Sequence, residues 1–413
     1  MRSVVWLYLF LFIAFFDLHA QYPILTPFAV SLGAAPSFIG LMMGMYSFTH
    51  LPGNLLAGFS VDRFGSRIFI VLSLLGAGIL LVLQAHVVNP WQLLVVRSIS
   101  GFVLAFLSPA CLALLARFAT NQVQQGKLMA GNGLVHTLAS VVSPAAGAYL
   151  VAKLGFTASF QALGIGLFII GLLAIFMVRV PAQATPVSPP STSNPTAAAG
   201  QKVSFPIHAD SDEKAVSKPA MAAHTVGVPW SFYIMPFAIS CSQGILFFEL
   251  PFVGNQLQSI MHSGILFSAV SLGALCTLSM LFLNHYPAYA RTWIGTFVLS
   301  LLFFVIAIHW PVPLFISLFL IGMTKGVILP AMSAHLLQLS GGVKYGRIFS
   351  YLSIAFSIGS FLGPLLAGQF RNVVSPFFIA FLVLMAAVTI MPAKQPFQPF
   401  TTSTPSMPES KAS

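Results

Sequence analysis

The sequence predicts an all-α integral membrane protein of twelve spanning helices, and three observations predict it. Of 413 residues, 57% are hydrophobic and only 6% charged, against about 25% charged in a soluble domain. The chain therefore lacks the residues to cover a water-facing surface. Its apolar residues gather into twelve runs, each close to the roughly 20 residues a bilayer requires. Its Lys and Arg residues fall almost wholly in alternate connections between those runs. Lipid offers no partner to an unpaired amide, so each run is expected to be a helix.

In order, the runs cover 4–31, 37–59, 68–88, 91–116, 128–152 and 157–179, then 229–256, 263–284, 291–310, 312–339, 346–370 and 374–392. Gly and Pro interrupt many of them, as is common in membrane helices. They group into an N-terminal six-helix half over 1–179 and a C-terminal one over 227–392. Residues 180–226 between them are rich in Pro, Ala, Ser and Thr, with Pro189-Pro190 and Ala197-Ala198-Ala199. Such a segment is expected to be a disordered linker, and 393–413 reads as a disordered tail. His208, Asp210, Asp212, Glu213 and His224 in the linker fit no metal-ligand spacing and read as a solvated charge run. The first run, between Arg2 and His19-Ala20-Gln21, has the outline of a signal peptide. Asp17 sits badly in such a segment, and the repeat described below needs this run as a helix.

With the N-terminus placed in the cytoplasm, fourteen of the 18 basic residues fall on the cytoplasmic side. Lys153 and Arg371 fall outside, while Arg97 and Lys325 lie within runs. This bias orients both termini and the linker inwards, and the short loops suit a bacterial plasma membrane. The net charge of +11 could point to nucleic acid. The basic residues, however, stand singly without interleaved aromatics, so no nucleic-acid partner is expected. Cys111, Cys241 and Cys276 lie inside apolar runs without ligand spacing and read as small core residues. No metal or cofactor is expected.

The two halves repeat. Pro27-Phe28 and Gly40 recur as Pro251-Phe252 and Gly264, 224 positions later. Gly101 and Pro109 recur as Gly322 and Pro330 at an offset of 221, and Gly126 and Pro144 as Gly346 and Pro364 at 220. Two six-helix halves related about the membrane normal follow from this spacing. Proteins of that plan bind a solute near the bilayer midplane and rock one half against the other.

Several residues carry chemistry. Between the second and third runs stand Gly58, Asp62, Arg63, Gly65 and Arg67. Gly65 can take positive φ, Asp62 can bond helix N-terminal amides, and the arginines can meet anionic headgroups. The fourth run holds Arg97, with Gly101 and Ala105 one and two turns on. A charge in a span costs about 2.5–3.5 kcal/mol on insertion scales and so faces a cavity or a partner. The fifth run carries Asn132, His136, Ser140, Ser143-Pro144 and Gly147 on one stripe. The eleventh carries Gly359, Gly363-Pro364 and Gly368, which permit close helix approach. The first has Asp17, Gln21, Pro23 and Pro27, the seventh Glu249 before Pro251, and the tenth Lys325. His50, His136 and His335 lie inside runs, where a lone His is usually a packing residue.

Taken together, these residues resemble the major facilitator superfamily over nearly the whole chain. The segment from Gly58 to Arg67 is similar to that family's signature loop, although Ser60 and Ser66 depart from it. The resemblance gives Asp62, Arg63 and Arg67 the role of latching one conformational state, and ties Arg97 to proton coupling. The Pro-bent first run with its acidic residue is similar to the drug:proton antiporter branch. That likeness makes Asp17 the first candidate proton carrier, and Glu249, the other carboxylate placed in a run, is the second. Gln21, His50, His136 and Lys325 are the candidate cavity residues, with Lys325 placed to neutralise a carboxylate or meet an anionic substrate. Gly101, Pro144, Gly147, Gly359, Gly363 and Pro364 read as helix-packing residues. No paired carboxylates at catalytic spacing, nucleophile elbow, phosphate loop or metal cluster occurs, so an enzyme is not expected.

The expectation is a monomeric transporter working by alternating access, with protons as coupling ion, that exports small lipophilic or amphiphilic molecules. Uptake of a polar or anionic metabolite, a lipid or lipid-linked-sugar flippase, and a transporter-like receptor are the alternatives.

Overall fold

The structure is a computed structural model that describes residues 2–118, 122–178, 230–253, 257–278, 280, 285–339 and 345–391. The expected linker over 180–226 and tail over 393–413, with their histidines and carboxylates, lie outside these residues. The described residues are helical almost throughout. Helix α1 (Arg2–Ala20) and α2 (Tyr22–Ser31) form the first span, divided at Gln21. Pro23 and Pro27 bring no amide hydrogen to α2, which favours a break just before it. Next come α3 (Pro36–Phe64) and α4 (Ser66–Gln84), then α5 (Pro90–Leu104) and α6 (Leu107–Arg117), which share the fourth span. Asn89 caps α5 by accepting from the Trp91 and Gln92 amides at 2.7 and 3.3 Å.

The 56-residue α7 (Gln122–Met177) is two helices joined at Gly155, where φ is 78° and ψ 175°. The second half has α8 (Ile234–Glu249) flanked by 3-10 turns at Trp230–Tyr233 and Leu250–Phe252. It continues through α9 (Leu257–Leu278), α10 (Ala288–Ala307), α11 (Leu314–Leu339), α12 (Tyr345–Phe370) and α13 (Pro376–Ile390).

Nine helical stretches among the described residues are long and apolar enough to cross a membrane. One of them, Ala130–Met177, has 48 residues and a helical length of about 72 Å, twice what a bilayer needs. Broken at Gly155, it supplies two spans. Helix α3, whose last turn carries Asp62 and Arg63, and the 15-residue α13 complete the twelve.

A non-glycine residue at φ 78° and ψ 175° carries a penalty of about 1–3 kcal/mol that glycine avoids. Gly155→Ala is therefore expected to lower the thermal unfolding midpoint of the purified protein. Gly166→Ala is the control, because a Cβ there meets nothing within 4 Å. An unchanged midpoint for Gly155→Ala would show that this turn is not strained.

Within the first half α1 and α4 pack on α7, and α3 on α5; within the second, α12 packs on α8 and α11 on α9. Across the halves α3 meets α12 and α7 meets α9. Small residues make these crossings close. A Cβ at Gly44 would lie 2.6 Å from the Phe361 carbonyl, and one at Gly264 would lie 2.7 Å from that of Pro144. Gly40 faces the Pro364 carbonyl and Gly368 that of Pro36 in the same manner. All four contacts gather at the end of the bundle where α3 begins, so the halves are closed there. Toward the opposite end, neither Gly58 on α3 nor Gly133 on α7 has an atom within 4 Å of a Cβ position. Cys111 and Cys241 are buried as expected, but Cys276 is exposed on α9, because its helix turns that position away from the core.

Candidate functional site

The first span carries a polar side chain, Gln21, deep between helices. Asp17 and Gln21 stand one helical turn apart on one face. The Gln21 Nε2 donates to Asp17 Oδ2 at 3.0 Å. Arg97 on α5 donates from Nη1 to the Gln21 Oε1 at 2.8 Å, and the Gln84 amide on α4 approaches the same oxygen at 3.5 Å. The guanidinium also lies over the Tyr46 ring of α3, 4.5 Å from its centroid, within cation–π range. Asp17 and Arg97 are 2% and 4% exposed, so water contributes little to either.

Glu249 forms an ion pair with Arg371, and no salt bridge joins Asp17 to Arg97. Asp17 and Arg97 thus meet through the Gln21 amide rather than directly. Two atoms of this network are buried without a hydrogen-bond partner among the described residues, Asp17 Oδ1 and Arg97 Nε. A desolvated carboxylate oxygen in that position is costly.

A second cluster faces it across the halves. Lys325 on α11 is 8% exposed and donates from Nζ to the Gln243 Oε1 at 2.5 Å. One turn along α8 from Gln243, the Phe247 ring stands 6.0 Å from that ammonium. Phe247 packs on Tyr22 of the first half at 4.3 Å and on Phe267 of α9 at 5.4 Å. Tyr22 in turn meets the His19 ring at 5.4 Å. His19 donates from Nδ1 to the Phe15 carbonyl at 2.6 Å, which leaves Nε2 of the neutral ring as an acceptor. His136 completes the set, with its ring 5.1 Å from His19 and 4.6 Å from Phe15.

The structure therefore gathers Asp17, Gln21 and Arg97 into one network, and His136 and Lys325 on either side of Tyr22. It does not bring Glu249 into them, and His50 borders the first only through the Tyr46 ring, 6.0 Å from its own. Glu249 ends α8 and takes the Arg371 Nε–H at 3.2 and 3.1 Å, while the Arg371 guanidinium covers the Phe252 ring at 4.0 Å. Lys325 consequently neutralises neither carboxylate, which was one of the two expectations for it. His50 lies against the Asn54 amide at 3.4 Å.

In the segment from Gly58 to Arg67, α3 runs on to Phe64, and the turn narrows to Gly65 at φ 89°. Asp62 and Arg63 are exposed, and Arg67 donates to the Ile175 carbonyl. The small residues serve close approach. Gly101 meets the Tyr46 carbonyl, Gly147 that of Ala20, Gly359 that of Phe237 and Gly363 that of Cys241. Pro144 and Pro364 supply the surfaces that receive Gly264 and Gly40.

Gln84 and Gln243 belong to the site and were not singled out in the sequence, although an amide inside an apolar run is a usable signal. Tyr22, Tyr46, Phe247 and Phe267 gave none, being a few aromatics among 39 Phe and 9 Tyr.

Residues 7–308 match the family model described as Major Facilitator Superfamily. The chain is 26% identical over 385 residues to Multidrug resistance protein MdtG of Klebsiella pneumoniae (strain 342), covering 89% of this chain and 86% of that one. With MdtG of Yersinia enterocolitica serotype O:8 / biotype 1B it shares 27% over 377 residues, covering 88% and 84%. Its fold is similar to that of a bacterial homolog to the human lysosomal transporter Spinster. The inward-facing and occupied form gives a TM-score of 0.66 at 14% identity, covering 94% of this chain and 93% of that one. The inward-facing and unoccupied form gives 0.64 at 13%, covering 94% of each.

Proposed function

The chain belongs to the major facilitator superfamily of membrane transporters, and from that premise we propose that it couples proton movement to the efflux of small lipophilic or amphiphilic molecules by alternating access. The observation that carries this reading is the buried network of Asp17, Gln21 and Arg97. Ionisable groups inside a span are costly and generally functional. Asp17 Oδ1, buried and unpartnered, is the atom at which a proton would relieve the cost. With Asp17 ionised, the Gln21 amide transmits the attraction between carboxylate and guanidinium. With Asp17 neutral, Arg97 loses that counter-charge, and the first half has reason to repack.

The similarity to the MdtG proteins, named for multidrug resistance, supports efflux. The basic residues of the alternate loops support a plasma-membrane orientation with both termini cytoplasmic. In that orientation the closed end of the bundle faces outwards, which supports reading this arrangement as inward-facing. Asp62, Arg63 and Arg67 then lie on the cytoplasmic side, placed to latch the opposite state. One chain encloses the whole site, in keeping with a monomer.

The test is flux in proteoliposomes under an imposed pH gradient, with a panel of lipophilic cations and amphiphilic anions. A panel member is expected to move against its own gradient only while the pH gradient stands, and to stop when an ionophore collapses it. Flux indifferent to the collapse would end the proton-coupled reading.

A further inference from the structure

Three carboxylates lie among the described residues: Asp17, Asp62 and Glu249. Asp17 is held by Gln21, Glu249 by Arg371, and Asp62 is exposed at the end of α3. None remains for Lys325, whose ammonium is nonetheless nine-tenths buried. An ammonium offers three N–H donors, and the Gln243 Oε1 takes one. A desolvated cation without a counter-charge is among the most costly groups a fold can hold. In a transporter, the missing counter-charge can arrive with the cargo.

We propose that Lys325 and Gln243 bind the anionic head of an amphiphilic monoanion, a carboxylate or sulfonate, whose flat apolar body lies against Tyr22, Phe247 and Phe267. The inference rests on the transport function proposed above and narrows its substrate class. Gln243 and Phe247 are one turn apart on α8, so head and body are recognised from one face. Aromatic side chains give large apolar contact with an oriented face. A carboxylate can accept two hydrogen bonds from the Lys325 ammonium, whereas a lipophilic cation would be repelled in a medium of low dielectric. The recognition surface also crosses the halves, with Tyr22 from one and the other four residues from the other. Rocking the halves would therefore make and unmake the body contacts while the charge contact stays with the second half.

The experiment is equilibrium binding to the purified full chain of labelled 2-naphthoate, neutral 2-naphthamide and the tetraphenylphosphonium cation. The wild type is expected to bind 2-naphthoate most tightly of the three. Lys325→Gln should weaken 2-naphthoate at least tenfold and leave 2-naphthamide within twofold. Lys325→Arg, which keeps the charge, should recover most of the loss and excludes misfolding as its cause. No 2-naphthoate binding by wild type, binding indifferent to Lys325→Gln, or preference for the phosphonium cation would each overturn the proposal. Flux separates this failure from failure of the function itself. Lysine-dependent binding with no movement under a pH gradient leaves the anion site standing and removes the coupled-efflux reading. Gradient-driven movement of the phosphonium cation alone does the reverse.

Discussion

Asp17→Asn is expected to reduce pH-gradient-driven transport by about a hundredfold or more, the scale on which a positioned proton-transfer group contributes. Asparagine keeps the shape of the side chain and an acceptor for the Gln21 amide, so the fold and the bridge to Arg97 should survive. What it cannot do is exchange a proton. The variant should therefore still equilibrate substrate down its own gradient, while losing every dependence of that flux on imposed pH. Gln21→Leu is the complementary change. It leaves the carboxylate in place but removes the amide between Asp17, which accepts from it at 3.0 Å, and Arg97, which donates to it at 2.8 Å. Transport should fall there too, with its pH dependence retained. Wild-type coupling in Asp17→Asn would remove this residue from the mechanism and leave Glu249 as the remaining carboxylate within a span.

The spans could be read from the chain because lipid constrains them so strongly. With no water to bond a free amide, a long apolar run has one outcome, and the duplicated Gly and Pro positions divide the runs into halves. The interruptions were less evenly legible. The turn at Gly155 was legible as the gap between the runs ending at 152 and starting at 157, whereas the divide at Gln21 was marked only by Pro23 and Pro27 beyond it. The network of Asp17, Gln21 and Arg97 was partly visible, since each residue is out of place in a span. Its wiring was not, because the amide mediation depends on how α1 and α5 are rotated against each other. Of the two expectations for Lys325, the carboxylate partner fails for the same reason. Charge alone pointed to a carboxylate, whereas the helix rotation presents Gln243 and gives Glu249 to Arg371. The aromatic residues between the halves were illegible, as no composition signal separates a packing Phe from one that lines a site.

A bulky residue at Gly40 is expected to bias the molecule away from the conformation seen here. Gly40 and Gly44 lie on α3 against Pro364 and Phe361 of α12, and Gly368 returns the contact against Pro36. A Cβ at Gly40 would fall 3.3 Å from the Gly368 Cα and closer still to the Pro364 carbonyl carbon, at 3.0 Å. Both are backbone atoms of a packed helix, so no side-chain rotation can relieve the overlap. Gly40→Leu can be accommodated only if α3 and α12 separate at this end, which opens it. Overpacking costs about 1–3 kcal/mol, and a factor of ten in population corresponds to about 1.4 kcal/mol. The balance between the two states should therefore move by roughly 5- to 150-fold. Spin labels at Ser37→Cys and Gln369→Cys, with the native cysteines replaced, read this directly. Their separation should lengthen in Gly40→Leu, and transport should fall because the closed end no longer seals. Gly166→Leu, at a position with open space around it, should leave both unchanged. If the distance distribution stays the same in Gly40→Leu while transport persists, the α3–α12 crossing is not the contact that holds this end shut, and the α7–α9 crossing at Gly264 and Pro144 becomes the seal to test.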